Sequence, residues 1–320
     1  MRLAGIDIGT NTVLLLVAEI GAGGRVTALA EEQEIPRLGR DVDRSGKISA
    51  AGFEALGLAL NRYRAIALSH GVTRITACAT SAVRDASNRE DLLGYIRGAA
   101  GMDIEVIDGA TEADLTFRGV LSGREGDWAD PAVLDIGGGS TELCYARRGA
   151  TDGDRTLTRV SMEIGSVRLT ERFFRHSHPL AGEIATARAW IVEELARIVN
   201  PGFGDCTLIA VAGTATTLAG LHLGLPEFNP AKIDGCRIPA GAVRAMASRL
   251  FSMNAGAIRA LSTMTAGRED ILAAGALILS TIVDHFGVRE IRVSTRGLRY
   301  GIVLREWKRR GDDAGTRGGD

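Results

Sequence analysis

Two glycine-rich segments that read as distant copies of one another constrain this 320-residue chain most strongly. The first is Gly5-Ile6-Asp7-Ile8-Gly9-Thr10-Asn11-Thr12, leading into the apolar run Val13 to Ala18. The second is Val133-Leu134-Asp135-Ile136-Gly137-Gly138-Gly139-Ser140-Thr141-Glu142. In each, an apolar strand ends at an aspartate, turns through glycine and hydroxyl residues, and leaves as another strand. Glycine tolerates positive φ and has no side chain to block an approach, so such a turn can aim several backbone N–H groups at one anionic oxygen. The neighbouring aspartate suits a hard cation. A repeat of this kind implies two related lobes with a phosphate-sized cleft between them.

Strand-like and helix-like segments alternate along the rest of the chain, which indicates an α/β fold. Ser49 opens a helix running to Gly71, with Phe53, Leu56, Leu60, Tyr63 and Ala67 on one face. Thr73 to Cys78 reads as a strand, and Asn88 as the cap of a helix with Asp91 three residues on. Asp103 to Ile107 is a strand and Thr111 to Leu121 a helix. A polar stretch from Ser122 to Asp127 lacks periodicity and marks a lobe boundary. The second lobe continues with a strand near Leu157 to Met162 and helices over 166–175 and 181–199. The strand Thr207 to Val211 then enters Ala212-Gly213-Thr214, a third phosphate-loop candidate. Helices over 240–251 and 267–286, a strand over 290–294 and a helix over 298–308 complete the pattern. The expected organisation is an N-terminal lobe of residues 1–122 and a C-terminal lobe of 123–298. A helix over about 299–309 returns to the first lobe, and 310–320 form a disordered tail.

Composition narrows the chemistry. A formal net charge of −1 gives no global field to draw in nucleic acid or an acidic membrane. Of 38 basic residues only Lys47, Lys232 and Lys308 are lysines. The arginine excess reads either as genomic base composition or as a supply of planar forks for phosphate. Cys78, Cys144, Cys206 and Cys236 form no CxxC and no zinc spacing, in keeping with a reducing cytoplasm. The run from Val13 to Ala18 is too short to span a membrane and lacks a signal-peptide layout.

Several side chains could carry chemistry. Asp7 and Asp135 end their strands beside the turns, as turn-capping acids or as ligand contacts. Ser140 and Glu142 lie two apart on the outgoing strand and so share a face. Glu112, in Asp108-Gly109-Ala110-Thr111-Glu112, reads as a first-turn acid complementing a helix dipole or as a general base for water. Arg84 and Asn88 read as a solvated pair or as an arginine reaching phosphate. Arg168, Arg172 and Arg175 form a helical stripe that reads as a solvated face.

At these residues the chain resembles the exopolyphosphatase / guanosine pentaphosphate phosphohydrolase (Ppx/GppA) family. The resemblance rests on the two hairpins, Ala79-Thr80-Ser81-Ala82-Val83-Arg84-Asp85-Ala86-Ser87-Asn88, the stretch from Glu112 to Val120, Glu163-Ile164-Gly165-Ser166-Val167-Arg168-Leu169-Thr170-Glu171, and Ala212-Gly213-Thr214. It implies the ribonuclease-H-like, actin-like ATPase (ASKHA) fold, with two lobes and an interlobe cleft. It also implies a cytoplasmic, Mg²⁺-dependent exopolyphosphatase that releases orthophosphate from inorganic polyphosphate, favours short chains and forms a homodimer. Removal of the 5′ phosphate of pppGpp, or (p)ppGpp sensing without catalysis, are the alternatives; nucleic acid and membrane are not expected partners. By the same resemblance Glu112 and Glu142 are the catalytic acids and Asp135 with Glu142 the metal ligands. Asp7, Gly9, Thr10, Asn11, Ser81, Arg84, Gly137, Gly138, Gly139, Ser140, Gly213 and Thr214 fall in substrate-binding segments. Two departures stand out. Ala110-Thr111 replace further acids before Glu112, and no His-Asp dipeptide of a C-terminal HD-like domain is present, so the chain resembles the short members.

Overall fold

The computed structural model describes residues 1–123, 131–148, 155–176, 178–198 and 207–316. Most of the boundary stretch, 124–127, and Cys206 lie outside the described residues. The chain divides into two compact units, Met1–Glu125 with Arg296–Asp320, and Gly126–Thr295.

The first unit holds a five-stranded sheet of β1 (Arg2–Ile8), β2 (Val13–Ile20), β3 (Val26–Glu34), β4 (Ile75–Ala79) and β5 (Ile104–Val106), in the order β3-β2-β1-β4-β5. β1 and β2 pair antiparallel, as do β2 and β3, whereas β4 joins β1 in parallel and β5 joins β4 likewise. The second unit repeats this order with β6 (Pro131–Ile136), β7 (Thr141–Arg148), β8 (Arg155–Met162), β9 (Thr207–Val211), β10 (Arg237–Pro239) and β11 (Glu290–Val293). Its sheet runs β10-β11-β9-β6-β7-β8, so β6, β7, β8, β9 and β11 take the places of β1 to β5. An antiparallel meander continued by parallel strands is the ribonuclease-H-like arrangement, and its duplication is the actin-like ATPase plan.

β3 was not apparent from the sequence because Glu31, Glu32 and Glu34 break its apolar pattern. Alternation explains how it is held. Glu31 pairs with Arg299 and accepts the Tyr300 hydroxyl, while Glu32 and Glu34 project to the opposite face and pair with Arg62. Charged side chains also protect an edge strand from further pairing.

Helix α1 (Ala50–Ser69) is capped by Ser49, whose Oγ accepts from Gly52 N at 3.1 Å. Its buried Leu56, Leu60, Tyr63 and Ala67 follow helical spacing, and the Tyr63 hydroxyl donates to Val13 O at 2.9 Å. Burial pushes the Tyr63 phenol well above its ordinary range. Helix α2 (Arg89–Ala100) starts after Asn88, but the Asn88 side chain does not cap it. Instead it accepts from Ile48 N at 3.0 Å and donates to Ile48 O at 2.9 Å, satisfying a whole peptide group of the preceding loop.

Helix α3 (Gly109–Leu121) is capped by Asp108, whose Oδ1 accepts from Thr111 N at 2.8 Å. The hydrogen bonds from Thr111 hold the Asp108 carboxyl below its usual range. Across α3 packs the last helix of the chain, which runs from Leu298 to Thr316 and so continues past the expected end at residue 308. Glycines make this crossing possible. A Cβ on Gly119 would lie 2.3 Å from Gly297 O, and one on Gly301 would lie 2.0 Å from Leu115 O. Backbone therefore meets backbone, fixing the helix that carries Glu112.

The second unit packs α4 (Ser166–Phe173), α5 (Ala181–Leu195), α6 (Ala212–His222), α7 (Ala240–Phe251) and α8 (Leu272–His285) around its sheet, which makes the terminal helix α9. Every residue of α8 from Leu272 to Val283 is buried, as expected of a helix enclosed on all sides. α8 begins later than its sequence pattern suggests because Gly267 to Asp270 form a turn. Glu269 pins that turn, accepting from Gly267 N at 2.6 Å and from Arg259 Nε at 2.9 Å. No helix among the described residues is long and apolar enough to cross a membrane.

Candidate functional site

Both units close their glycine turns in the same way. Gly9 N donates to Thr12 O at 3.0 Å beyond the last β1–β2 pair, Ile8 with Val13. Gly137 N donates to Ser140 O at 3.0 Å beyond Ile136 with Thr141. A Cβ on Gly9 would meet Thr12 O at 3.0 Å, and one on Gly137 would meet Ser140 O at 3.0 Å. Glycine is favoured at both places for one geometric reason.

The turn carbonyls are held by packing. In the first unit Gly39 N bonds Thr10 O at 2.7 Å and Arg37 N bonds Asn11 O at 3.1 Å. In the second, the start of α4 does the same work. Ser166 N bonds Gly137 O at 2.9 Å, Val167 N bonds Gly138 O at 2.8 Å, and Arg168 Nε bonds Gly139 O at 2.8 Å. In a trans peptide the N–H points opposite to the C=O of the same plane. Holding these carbonyls therefore turns the amides of Asn11 and Thr12, and those of Gly138, Gly139 and Ser140, away from the packed side. Such grouped amides attract anions.

The third loop follows β9, which ends with Val211 beside Asp135. Ala212 adopts φ +66°, a left-handed conformation that costs a non-glycine residue about 1–2 kcal/mol. Gly213 and Thr214 then open α6, whose N-terminus adds a favourable dipole for an anion. The Arg268 guanidinium lies directly over Gly213, where a Cβ would be 2.5 Å from its Nη1. In the first unit the corresponding strand, β4, ends at Ala79 beside Ile8 and leads into the short helix Ser81–Asp85. Arg84, on that helix, donates through Nη1 to Ile107 O at 3.1 Å and to Glu112 Oε2 at 3.3 Å. Glu112 occupies the first turn of α3, yet is only 7% exposed. It is a buried carboxylate paired with an arginine rather than a solvated dipole partner. Asn88, bound to Ile48, takes no part in that pair.

Asp135 and Glu142 are direct cross-strand partners in the β6–β7 ladder, and Glu142 is buried with Oε1 accepting from Ser161 Oγ at 2.7 Å. Opposed residues on antiparallel strands hold their Cβ atoms about 4.5–5.5 Å apart, and like charges so placed repel. A divalent cation relieves that repulsion, and two carboxylates suit Mg²⁺, which keeps several waters. The donor set thus fits the cation, although no group of three or more His, Cys, Asp or Glu forms a metal cluster among the described residues.

Not every expected contact residue offers its side chain. Thr10 packs its methyl against Gly39, Thr214 packs its hydroxyl against Gly275, and Ser81 Oγ donates to Asp85 Oδ2 at 3.2 Å. Arg168 is no member of a solvated stripe; it is half-buried, bonds Gly139 O and pairs with Glu163 at 2.6 Å. Only the seating of α4 on the second turn, with Gly165 against the Gly138 carbonyl, reveals that role. Arg268 had no local signal, since only the tertiary fold brings it to Gly213.

The profile of the Ppx/GppA phosphatase family matches residues 16–310. Exopolyphosphatase 2 of Mycobacterium tuberculosis is 33% identical over 317 residues, covering 95% of this chain and 98% of that protein. Exopolyphosphatase 1 of Mycobacterium bovis is 30% identical, covering 96% of this chain and 88% of the relative. Among solved structures, an exopolyphosphatase-like protein superposes with a TM-score of 0.89 at 31% identity, over 95% of this chain and 97% of the other. The Ppx/GppA protein of Aquifex aeolicus superposes with a TM-score of 0.79 at 27% identity, over 97% and 98%.

Proposed function

Because the chain belongs to the Ppx/GppA phosphatase family and is therefore a hydrolase, we propose that it cleaves the terminal phosphoanhydride of inorganic polyphosphate, releasing orthophosphate. One observation carries this reading: the same acid-and-glycine turn is built twice, and only the second places a buried glutamate across from its aspartate. The names of the exopolyphosphatase relatives support the substrate class.

In this proposal the grouped amides of Asn11 and Thr12, and those of Gly138, Gly139 and Ser140, serve as binding turns for non-bridging phosphate oxygens. Arg268 adds a fork over Gly213. Glu112 accepts the proton of a water that attacks the terminal phosphorus. The bridging P–O bond breaks, the shortened chain leaves with the bond's electrons, and orthophosphate is released. Arg84 fixes Glu112 Oε2 for that task. Asp7 orders the first turn. Asp135 and Glu142 would hold Mg²⁺, which when bound offsets charge on the phosphate oxygens. Phosphoryl transfer depends mainly on positioning and electrostatics, so no nucleophilic serine or cysteine is required. The proposal extends to a cytoplasmic homodimer, in which the thiols of Cys78, Cys144 and Cys236 stay reduced.

The 5′ γ-phosphate of pppGpp presents the same terminal phosphoanhydride. Phosphate release measured side by side from short polyphosphate, long polyphosphate and pppGpp, with and without Mg²⁺, therefore tests the assignment. Fastest turnover on short polyphosphate, dependent on Mg²⁺, is expected. Turnover of pppGpp alone would overturn the substrate.

A further inference from the structure

The first unit contains a cavity of about 1100 Å³ that the proposed reaction does not use. It lies between the turn joining β2 to β3, the later half of α3, and α9. That turn sits at the opposite end of β2 from Gly9 to Thr12. Eight strand residues separate the two places by roughly 24 Å. The cavity is therefore distinct from the phosphate turns of its own unit.

Its walls combine two chemistries. Phe117, Leu121, Leu304 and Trp307 supply an apolar and aromatic floor. Gly24, at φ +80°, lets the chain approach the six-membered ring of Trp307; a Cβ there would lie 2.9 Å from Cζ3. Around this floor stand six cationic side chains, with no carboxylate among the described lining residues. Several of these are engaged: Arg118 binds Asp114 Oδ2 at 2.6 Å, Arg305 bonds Glu105 Oε1 at 3.0 Å, and Arg296 Nη1 donates to Ser122 Oγ at 3.4 Å. Arg296 stacks over Tyr300, with its guanidinium carbon 4.8 Å from the ring centre. Lys308 and Arg309 are exposed at the rim, with Arg25 on the adjacent turn.

A concave site with an aromatic floor and a single-sign rim selects a ligand that is flat and apolar at one end and multiply anionic at the other. Inorganic phosphate chains match the rim but make no use of the floor. We propose that this cavity binds a nucleoside di- or triphosphate, with the base against Trp307 and the phosphates on Lys308 and Arg309. Aromatic side chains accept any base by stacking, so the fold fixes the ligand class rather than the base. Leu115 and Phe117 line the cavity from the same helix that carries Glu112.

Isothermal titration of the full chain with ADP, GDP and inorganic tripolyphosphate tests the proposal. Its readout is heat of binding, so it stands apart from whether polyphosphate is hydrolysed. Saturable ADP or GDP binding is expected, weakened about tenfold by the rim double variant Lys308→Gln/Arg309→Gln. Trp307→Leu is expected to weaken it at least about fivefold, with tripolyphosphate binding little changed. The rim variant alters only exposed side chains, so a loss there does not depend on how well Trp307→Leu folds. Absence of saturable nucleotide binding, or binding equal in wild type and the rim variant, overturns the proposal. Tripolyphosphate binding that depends on Trp307 as strongly as ADP binding does would also remove the base from it.

Discussion

The two hairpins share a backbone but differ in what they present. The first turn is seated on the loop Arg37 to Gly39 and turns out two amides, with Leu14 opposite Asp7 in the ladder. The second is seated on the start of α4 and turns out three amides, with Glu142 opposite Asp135. The duplicated unit thus has the same turn geometry in both copies and a carboxylate pair in one. The first unit answers with a different acid, Glu112, held by Arg84 outside the hairpin. In the proposed reaction, one fold used twice separates cation holding from proton acceptance.

The sharpest way to break this comparison is to neutralise the matched aspartates. Asp135→Asn should lower turnover about 10²–10³-fold and raise the Mg²⁺ concentration needed for half-maximal rate. Asp7→Asn, which removes no cation ligand, should cost about tenfold. Equal losses with equal Mg²⁺ dependence would erase the distinction between the hairpins.

The seats of the turns offer a second contrast. A Cβ on Gly165 would lie 2.2 Å from Gly138 O, backbone against backbone, whereas one on Gly39 would meet the methyl of Thr10 at 2.0 Å. Side chains yield where backbones do not. Gly165→Ala should therefore destabilise its unit by about 3 kcal/mol or more, and Gly39→Ala by about 1 kcal/mol, read from thermal midpoints. The reverse order would place the rigid seat in the first unit.

The smallest expected effect concerns the turn that delivers Arg268. Burial alone would raise the Glu269 carboxyl, but hydrogen bonds from Arg259 and Gly267 and the Arg259 charge bring it down to about 2 from an ordinary 4.5. A depressed folded-state value stabilises the fold fully above pH 4.5 and loses that contribution as pH falls toward 2. The stability gap between wild type and Glu269→Gln should be widest near neutral pH and close in that window. A gap independent of pH would separate Glu269 from the turn's stability. In the first unit Arg84 is held differently, by Glu112 itself.

Much of this plan was legible in the sequence because it is local. The paired turns announce themselves through glycine and aspartate at strand ends, and β9 and α7 fall where periodicity places them. The acids Glu112, Asp135 and Glu142 were likewise visible as candidates. What stayed hidden depends on long-range contact. β3 carries acids at successive positions, and only Arg299 and Arg62 on its two faces explain them. Arg168 resembled a solvated residue until α4 was seen to seat the second turn. Asn88 has a helix-capping spacing yet serves Ile48, forty residues away. Arg268 reaches Gly213 only through the fold.

The central claim is that Glu112 takes the proton from the attacking water. Turnover of short polyphosphate by Glu112→Gln, measured together with polyphosphate binding, tests it most directly. The account predicts a fall of about 10²–10⁴ in turnover with binding retained. Near-normal turnover would contradict it.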